Sequence, residues 1–207
     1  FLNEYVYFET ERDSENVASL KRHIERNLAA GKEPEVAEVL CLGSFRPLHR
    51  FRWSEDLSCL KKLPEIRERL IAQPLTEQRL ARKIRTLGPI SNDVSIKVKR
   101  QYEENPYPRW AQLGICQPKL PVDDYLKGQG IRHHSLRDQA LDSPRILVAG
   151  CGTGQHALQV ALRHPESQVL AVDLSRTSLS YAQRQANRLG VTGLEFMQGD
   201  ILDLAKL

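Results

Sequence analysis

Cysteine is scarce in this 207-residue chain, and its few positions form no pattern. Cys41, Cys59, Cys116 and Cys151 include no C-x-x-C pair, which removes the zinc-ribbon and dithiol-redox readings. Disulfide frameworks belong to short secreted chains, so a reducing, cytoplasmic compartment is the expectation. The pair His133–His134 has no Cys or carboxylate at ligand spacing, and no metal site is expected. Long apolar runs are missing too. None approaches the roughly 18 residues of a membrane span, so no membrane partner is expected. The opening "FLNEYVYFET" lacks both an initiator Met and a basic stretch; it reads as the interior of a longer chain, not as a signal peptide. Charge is only mildly one-sided, at +4. Basic residues gather in "RPLHRFR" (46–52), "RLARKIR" (79–85) and "KVKR" (97–100). Such runs read as solvated helix faces, and nucleic acid is allowed but not favoured as a partner.

What is present begins with helices. In "SENVASLKRHIERNLAAG", Val17, Leu20, Ile24 and Leu28 recur at spacings of three and four, with Ser14 placed to cap and Gly31 to close. Pro34 and Pro64 each stand at the favoured first position of a following helix. Thr76 reads as the cap of "EQRLARKIRTLG". Asn92 or Asp93 starts a helix with Val94, Val98 and Tyr102 on one face. Residues 1–104 therefore read as an α-helical domain without a strand. Residues 105–143 are rich in turn formers and begin with "NPYPRW", which forces an extended path; they read as a linker or lid, with a short helix near Asp123–Lys127.

From Pro144 the pattern alternates. "RILVAG" is an unbroken apolar run, as in a strand covered on both faces, followed by the helical period of "QHALQVALRH". "SQVLAVDLS" and "GLEFMQGDI" are further strands, separated by a helix that Ser175 caps and Gly190 stops. Residues 144–207 thus read as βαβαβ, the first half of a doubly wound parallel α/β sheet of Rossmann-like type.

Gly150, Gly152 and Gly154 follow the first of these strands. Glycines there let backbone turn sharply and approach a ligand that a Cβ would exclude, while the next helix offers free N–H groups to an anionic group. "GTGQHA" matches G-x-G-x-x-A, and Asp173 lies where a ribose-binding acid belongs, so a nicotinamide dinucleotide and S-adenosylmethionine both remain open.

"VAGCGTG", "AVDLS" and "QGDIL" resemble the first three motifs of class I S-adenosylmethionine-dependent methyltransferases, in order and at typical intervals. "QYEENPYPRW" resembles a segment preceding the catalytic domain in bacterial methyltransferases that often carry tetratricopeptide repeats. The resemblance implies S-adenosylmethionine as cofactor. It assigns Gly150, Gly152 and Gly154 to the loop beside the methionine moiety, Asp173 to the ribose hydroxyls, and Asp200 with Ile201 to adenine. Ala149, Cys151, Leu174 and Gly199 belong to the same cofactor-binding set. Tyr107, Arg109 and Trp110 are candidates for a lid or substrate wall, with packing of the linker as the competing role. The family usually has an acid where this chain has Val148.

"NPYP" is not the N/D-P-P-Y loop of amino-methyltransferases, because "KVKRQYEE" before it is no apolar strand. No catalytic residue is identified, and the methyl acceptor (protein, small molecule or RNA) is unspecified. The expectation is a methyltransferase that lacks its later strands here, leaving "ILVA" as an open edge for those strands or another copy of the chain to cover. The competing readings are a nicotinamide-dependent oxidoreductase and a non-enzymatic interaction module with a vestigial cofactor fold.

Overall fold

Thr10 starts the first helix of the computed structural model, which describes residues 9–114, 118–131 and 143–206. Cys116, His133 and His134 lie outside the described residues. Two compact units divide between Thr76 and Glu77, inside a helix and not at the composition change near 104.

In the first unit, helix α1 (Glu11–Ala29) is opened by a capping box. Thr10 Oγ1 accepts from the Asp13 N–H at 3.2 Å and Asp13 Oδ2 accepts from the Thr10 N–H at 3.0 Å. Ser14, the expected cap, lies within the helix and donates to Glu9 instead. Helix α2 spans Val36–Phe45 and is capped by Glu35, so Pro34 precedes the helix and does not open it. Pro64 does open helix α3 (Pro64–Arg67). A π-helical turn over Glu68–Ala72 then carries the run into α4 (Gln73–Ala81). The Gln73 N–H donates to the Glu68 carbonyl, so the backbone never breaks and Thr76 is interior where a cap was expected. Leu42, Leu48, Leu57, Leu60 and Ile71 are fully buried and form the core of this unit. Each contributes about 1.5–3 kcal/mol through burial.

The second unit holds a four-stranded sheet in which every pair is parallel. Its strands are β1 (Arg85–Thr86), β2 (Arg145–Ala149), β3 (Gln168–Asp173) and β4 (Leu194–Gln198), in the order β1-β4-β3-β2. Helix α5 (Asp93–Glu104) follows β1, and α6 (Val122–Gly128) matches the short helix expected near Asp123. Helices α7 (Gln155–Arg163) and α8 (Arg176–Leu189) link β2 to β3 and β3 to β4. The parallel α/β architecture read from the sequence is the one observed. β1 was not foreseen, because two residues are too few to show a strand period.

Ala157, Leu158 and Ala161 of α7 pack with Leu179, Ala182 and Ala186 of α8 and with Val148, Val169, Ala171 and Phe196 of the sheet. β2 is the outermost described strand, and Leu147 on it is 46% exposed, so among the described residues the apolar run is not covered on both faces. Asn92 caps α5 as expected, its Oδ1 accepting from Val94 and Ser95 N–H groups. That helix is turned the unexpected way. Ser95 is buried and Glu103 half-buried, whereas Val94 is 68% exposed and Val98 and Tyr102 face solvent. Among the described residues, no helix is long and apolar enough to cross a membrane.

Candidate ligand-binding cleft

The backbone leaves β2 through Gly150, Gly152 and Gly154, all in the left-handed region at φ of 67°, 54° and 79°. A Cβ at Gly150 or Gly152 would meet nothing within 4 Å, so these positions border open space and only the backbone angle demands glycine. Gly154 is different. A Cβ there would lie 2.4 Å from the Ala182 Cβ, so this glycine lets α7 start directly against α8.

Asp173 ends β3 beside this loop. Its Oδ2 accepts from the Gly152 N–H at 2.8 Å and its Oδ1 from the Ser175 N–H at 2.9 Å. The Cys151 N–H donates to the Val172 carbonyl at 3.0 Å, tying loop and strand again. Burial raises the Asp173 pKa above the ordinary carboxylate value, and the charge of Glu103 adds to the rise. The N–H groups of Ser175, Gly152 and Leu174 oppose it. Burial also pushes the Cys151 thiol up, with Asp173 adding to the effect, so the thiol stays protonated at neutral pH.

A cleft of about 440 Å³ opens over these groups. Gly150, Cys151, Gly152 and Thr153 line it from the loop, Gln155 and His156 from the first turn of α7, and Asp173 from β3. Tyr102, Tyr107 and Pro108 complete the lining. The volume falls within the ordinary range for small-molecule sites.

The structure sorts the expected residues. Gly150, Cys151, Gly152, Asp173 and Tyr107 come together at the cleft. Ala149 ends β2 next to it, and the Leu174 carbonyl accepts from Gln198 Nε2 at 2.8 Å. Gly199, Asp200 and Ile201 do not line the cleft. Asp200 is buried and its Oδ1 accepts from the Leu202 N–H at 3.0 Å, at the start of a 3₁₀ turn over Ile201–Lys206. Ile201 is 53% exposed, and Gly199 is packed against Leu87 and Val172. Val148, where the family usually has an acid, is buried among apolar side chains.

The 107–110 segment divides likewise. Tyr107 is 72% exposed at the cleft mouth. Trp110 is buried, its Nε1 donating to the Thr153 carbonyl at 3.1 Å, while Thr153 Oγ1 donates to the Pro108 carbonyl at 2.6 Å. The Trp110 carbonyl accepts from the Tyr181 hydroxyl and from Gln185 Nε2. Arg109 pairs with buried Glu77 at 3.1 Å, and Arg184 reaches the same carboxylate at 2.8 Å. Both guanidinium groups lie 4.9 Å from the Tyr181 ring centre. Trp110 and Arg109 thus hold the segment in place, and Tyr107 alone of the three lines the cleft.

Comparison with known proteins agrees with the region of the loop and strands. Residues 142–207 match a methyltransferase domain. A fatty-acid O-methyltransferase from Mycolicibacterium smegmatis is 31% identical over 117 residues, 56% of this chain and 39% of that protein. A release factor glutamine methyltransferase from Bordetella pertussis is 44% identical over 57 residues, 28% of this chain and 20% of that protein. Magnesium protoporphyrin IX methyltransferase from Synechocystis PCC 6803, solved with S-adenosylmethionine bound, aligns over 58% of this chain and 59% of its own. Its identity is 22% and its TM-score 0.34. The chain spans about two fifths or less of the length of the curated relatives named here.

Sequence reasoning passed over Tyr102, Pro108, Thr153, Gln155 and His156. Gln155 and His156 could have been found, since the first turn after a glycine loop faces whatever the loop holds. Tyr102 could not, because the period of α5 shows a face without saying which way it turns.

Proposed function

We propose that this chain is part of an S-adenosylmethionine-dependent methyltransferase and that the cleft binds the adenosyl part of that cofactor. One observation carries the reading. A carboxylate fixed by two backbone N–H groups and a pair of left-handed glycines with open space above them border the same cleft. The family match over 142–207 covers both features.

The residues fit the group. Each Asp173 oxygen takes one backbone donor and keeps a lone pair for a ribose hydroxyl. Gly150 and Gly152 would let the loop backbone approach the methionine moiety, and Tyr102 and Tyr107 border the cleft. The bound cofactor would supply an electrophilic sulfonium methyl group to an acceptor nucleophile. This chain's contribution is to hold the donor still and partly desolvated, which lowers the entropic part of the barrier. With Val148 in the core, the cofactor's amino group is left to backbone carbonyls, water or the 107–110 segment. That substitution weakens binding, since a charge-assisted hydrogen bond contributes about 1.5–3 kcal/mol.

The reading extends to a protein of the bacterial type often associated with tetratricopeptide repeats, on the likeness of "QYEENPYPRW", working in the cytoplasm. The free thiols of Cys41, Cys59 and Cys151 suit such a reducing compartment. The open side of β2 is the place for further strands or a second copy of the chain. Isothermal titration with S-adenosylhomocysteine and with NADH tests the reading. Heat with the first ligand and none with the second is the expected result. Binding of NADH alone would replace the reading with an oxidoreductase; binding of neither would favour an interaction module.

A further inference from the structure

We infer that Glu103 is a positioning residue for Asp173, presetting the ribose-binding carboxylate from outside the cleft; this rests on the cofactor reading above. Glu103 belongs to α5, yet its carboxylate caps another helix. Oε1 accepts from the Arg176 N–H at 2.8 Å, and Oε2 accepts from the Thr177 N–H at 3.1 Å and from the Thr177 hydroxyl. Those are the first residues of α8. The preceding residue, Ser175, donates its hydroxyl to the Tyr102 carbonyl at 3.1 Å and accepts the Ser178 N–H at 3.0 Å.

The consequence reaches the cleft in one step. Ser175 carries the N–H that fixes Asp173 Oδ1, so whatever holds the start of α8 also holds that donor. A free helix start leaves its first N–H groups to water and frays. Here two of them are held by a charge, and a carboxylate at a helix N-terminus is doubly favoured, by hydrogen bonding and by the helix dipole. The polar side of α5 is turned inward to make this contact, which is why Val94, Val98 and Tyr102 of the same helix face out. Glu103 does not line the cleft, whereas its neighbour Tyr102 does. It therefore acts on a ligand through Asp173 and Ser175 and not by contact.

The test compares two ligands on Glu103→Ala and Glu103→Gln in the full chain. One is S-adenosylhomocysteine; the other is its analogue lacking the ribose 2′- and 3′-hydroxyls. Glu103→Ala is expected to weaken the first about five- to tenfold, the scale of one lost cap, and the second less than about twofold. Glu103→Gln, which keeps one acceptor, falls between. Should Glu103→Ala fail to fold by circular dichroism, Glu103→Gln carries the comparison with the same expected ordering. Equal weakening of both ligands, or of neither, overturns the proposal and leaves Glu103 a structural cap. If the unaltered chain binds neither ligand, the cofactor reading itself fails, and this inference with it.

Discussion

Asp173 ends β3 and Asp200 lies two residues beyond the neighbouring β4, each followed by a helical turn, yet their surroundings differ. Asp173 receives the N–H of Ser175, two residues on, and also that of Gly152 from the loop after β2, and it lines the cleft. Asp200 receives the N–H of Leu202, two residues on, and stays outside it. A carboxylate with one donor from a distant loop reports the placement of that loop against its own strand. One whose donor is its near neighbour reports only a local turn. The donor from the glycine loop, and not the local turn that both acids share, is what distinguishes Asp173 from Asp200.

The largest effect should come from Asp173→Ala. Losing the carboxylate proposed to take the ribose hydroxyls is expected to weaken S-adenosylhomocysteine binding about a hundredfold, read by calorimetry. The same side chain should show two opposed pH trends. Because burial raises its pKa in the folded state, its contribution to stability is fully present below the unfolded carboxylate value. That contribution is lost as pH rises through the raised value. Ligand affinity should rise across the same window, because the ionised carboxylate is the better hydroxyl acceptor. Asp173→Asn should flatten both trends when melting temperature and Kd are followed from about pH 4 to 7.

Gly154→Ala comes next. It adds a methyl group 2.4 Å from the Ala182 Cβ at a φ of 79°, and should cost about 2–4 kcal/mol in urea unfolding. The smallest effect belongs to Asp200→Ala, about 1 kcal/mol of stability from a lost local cap, with ligand affinity changed less than about threefold. A loss of affinity there as large as at Asp173 would erase the distinction between the two acids.

What could be read beforehand follows the same division. The glycine loop, the Ser175 cap, the Gly190 stop and the parallel strands are local patterns, and each was visible in the sequence. Placement near the cleft was visible for Gly150, Gly152 and Asp173, because a strand, a tight turn and a helix fix where those residues go. The orientation of α5 was not. Its apolar face at Val94, Val98 and Tyr102 predicts burial, and the outcome turned on Glu103 finding donors 73 residues away. Trp110 and Arg109 depended likewise on Tyr181, Glu77 and Arg184, partners that no short window contains. The expected cap at Thr76 failed for another reason: a π-helical turn extended the helix through it, and no residue pattern announces such a turn.

The contact between Gly154 and Ala182 has a bearing on binding thermodynamics. With no room for even a methyl group between them, the end of the glycine loop is packed directly against α8. Its backbone freedom is surrendered when the chain folds, before any ligand arrives. Gly154 itself does not line the cleft, but the cleft-lining Thr153 and Gln155 on either side of it start from this packed point, so less of their ordering is left for a ligand to bring about.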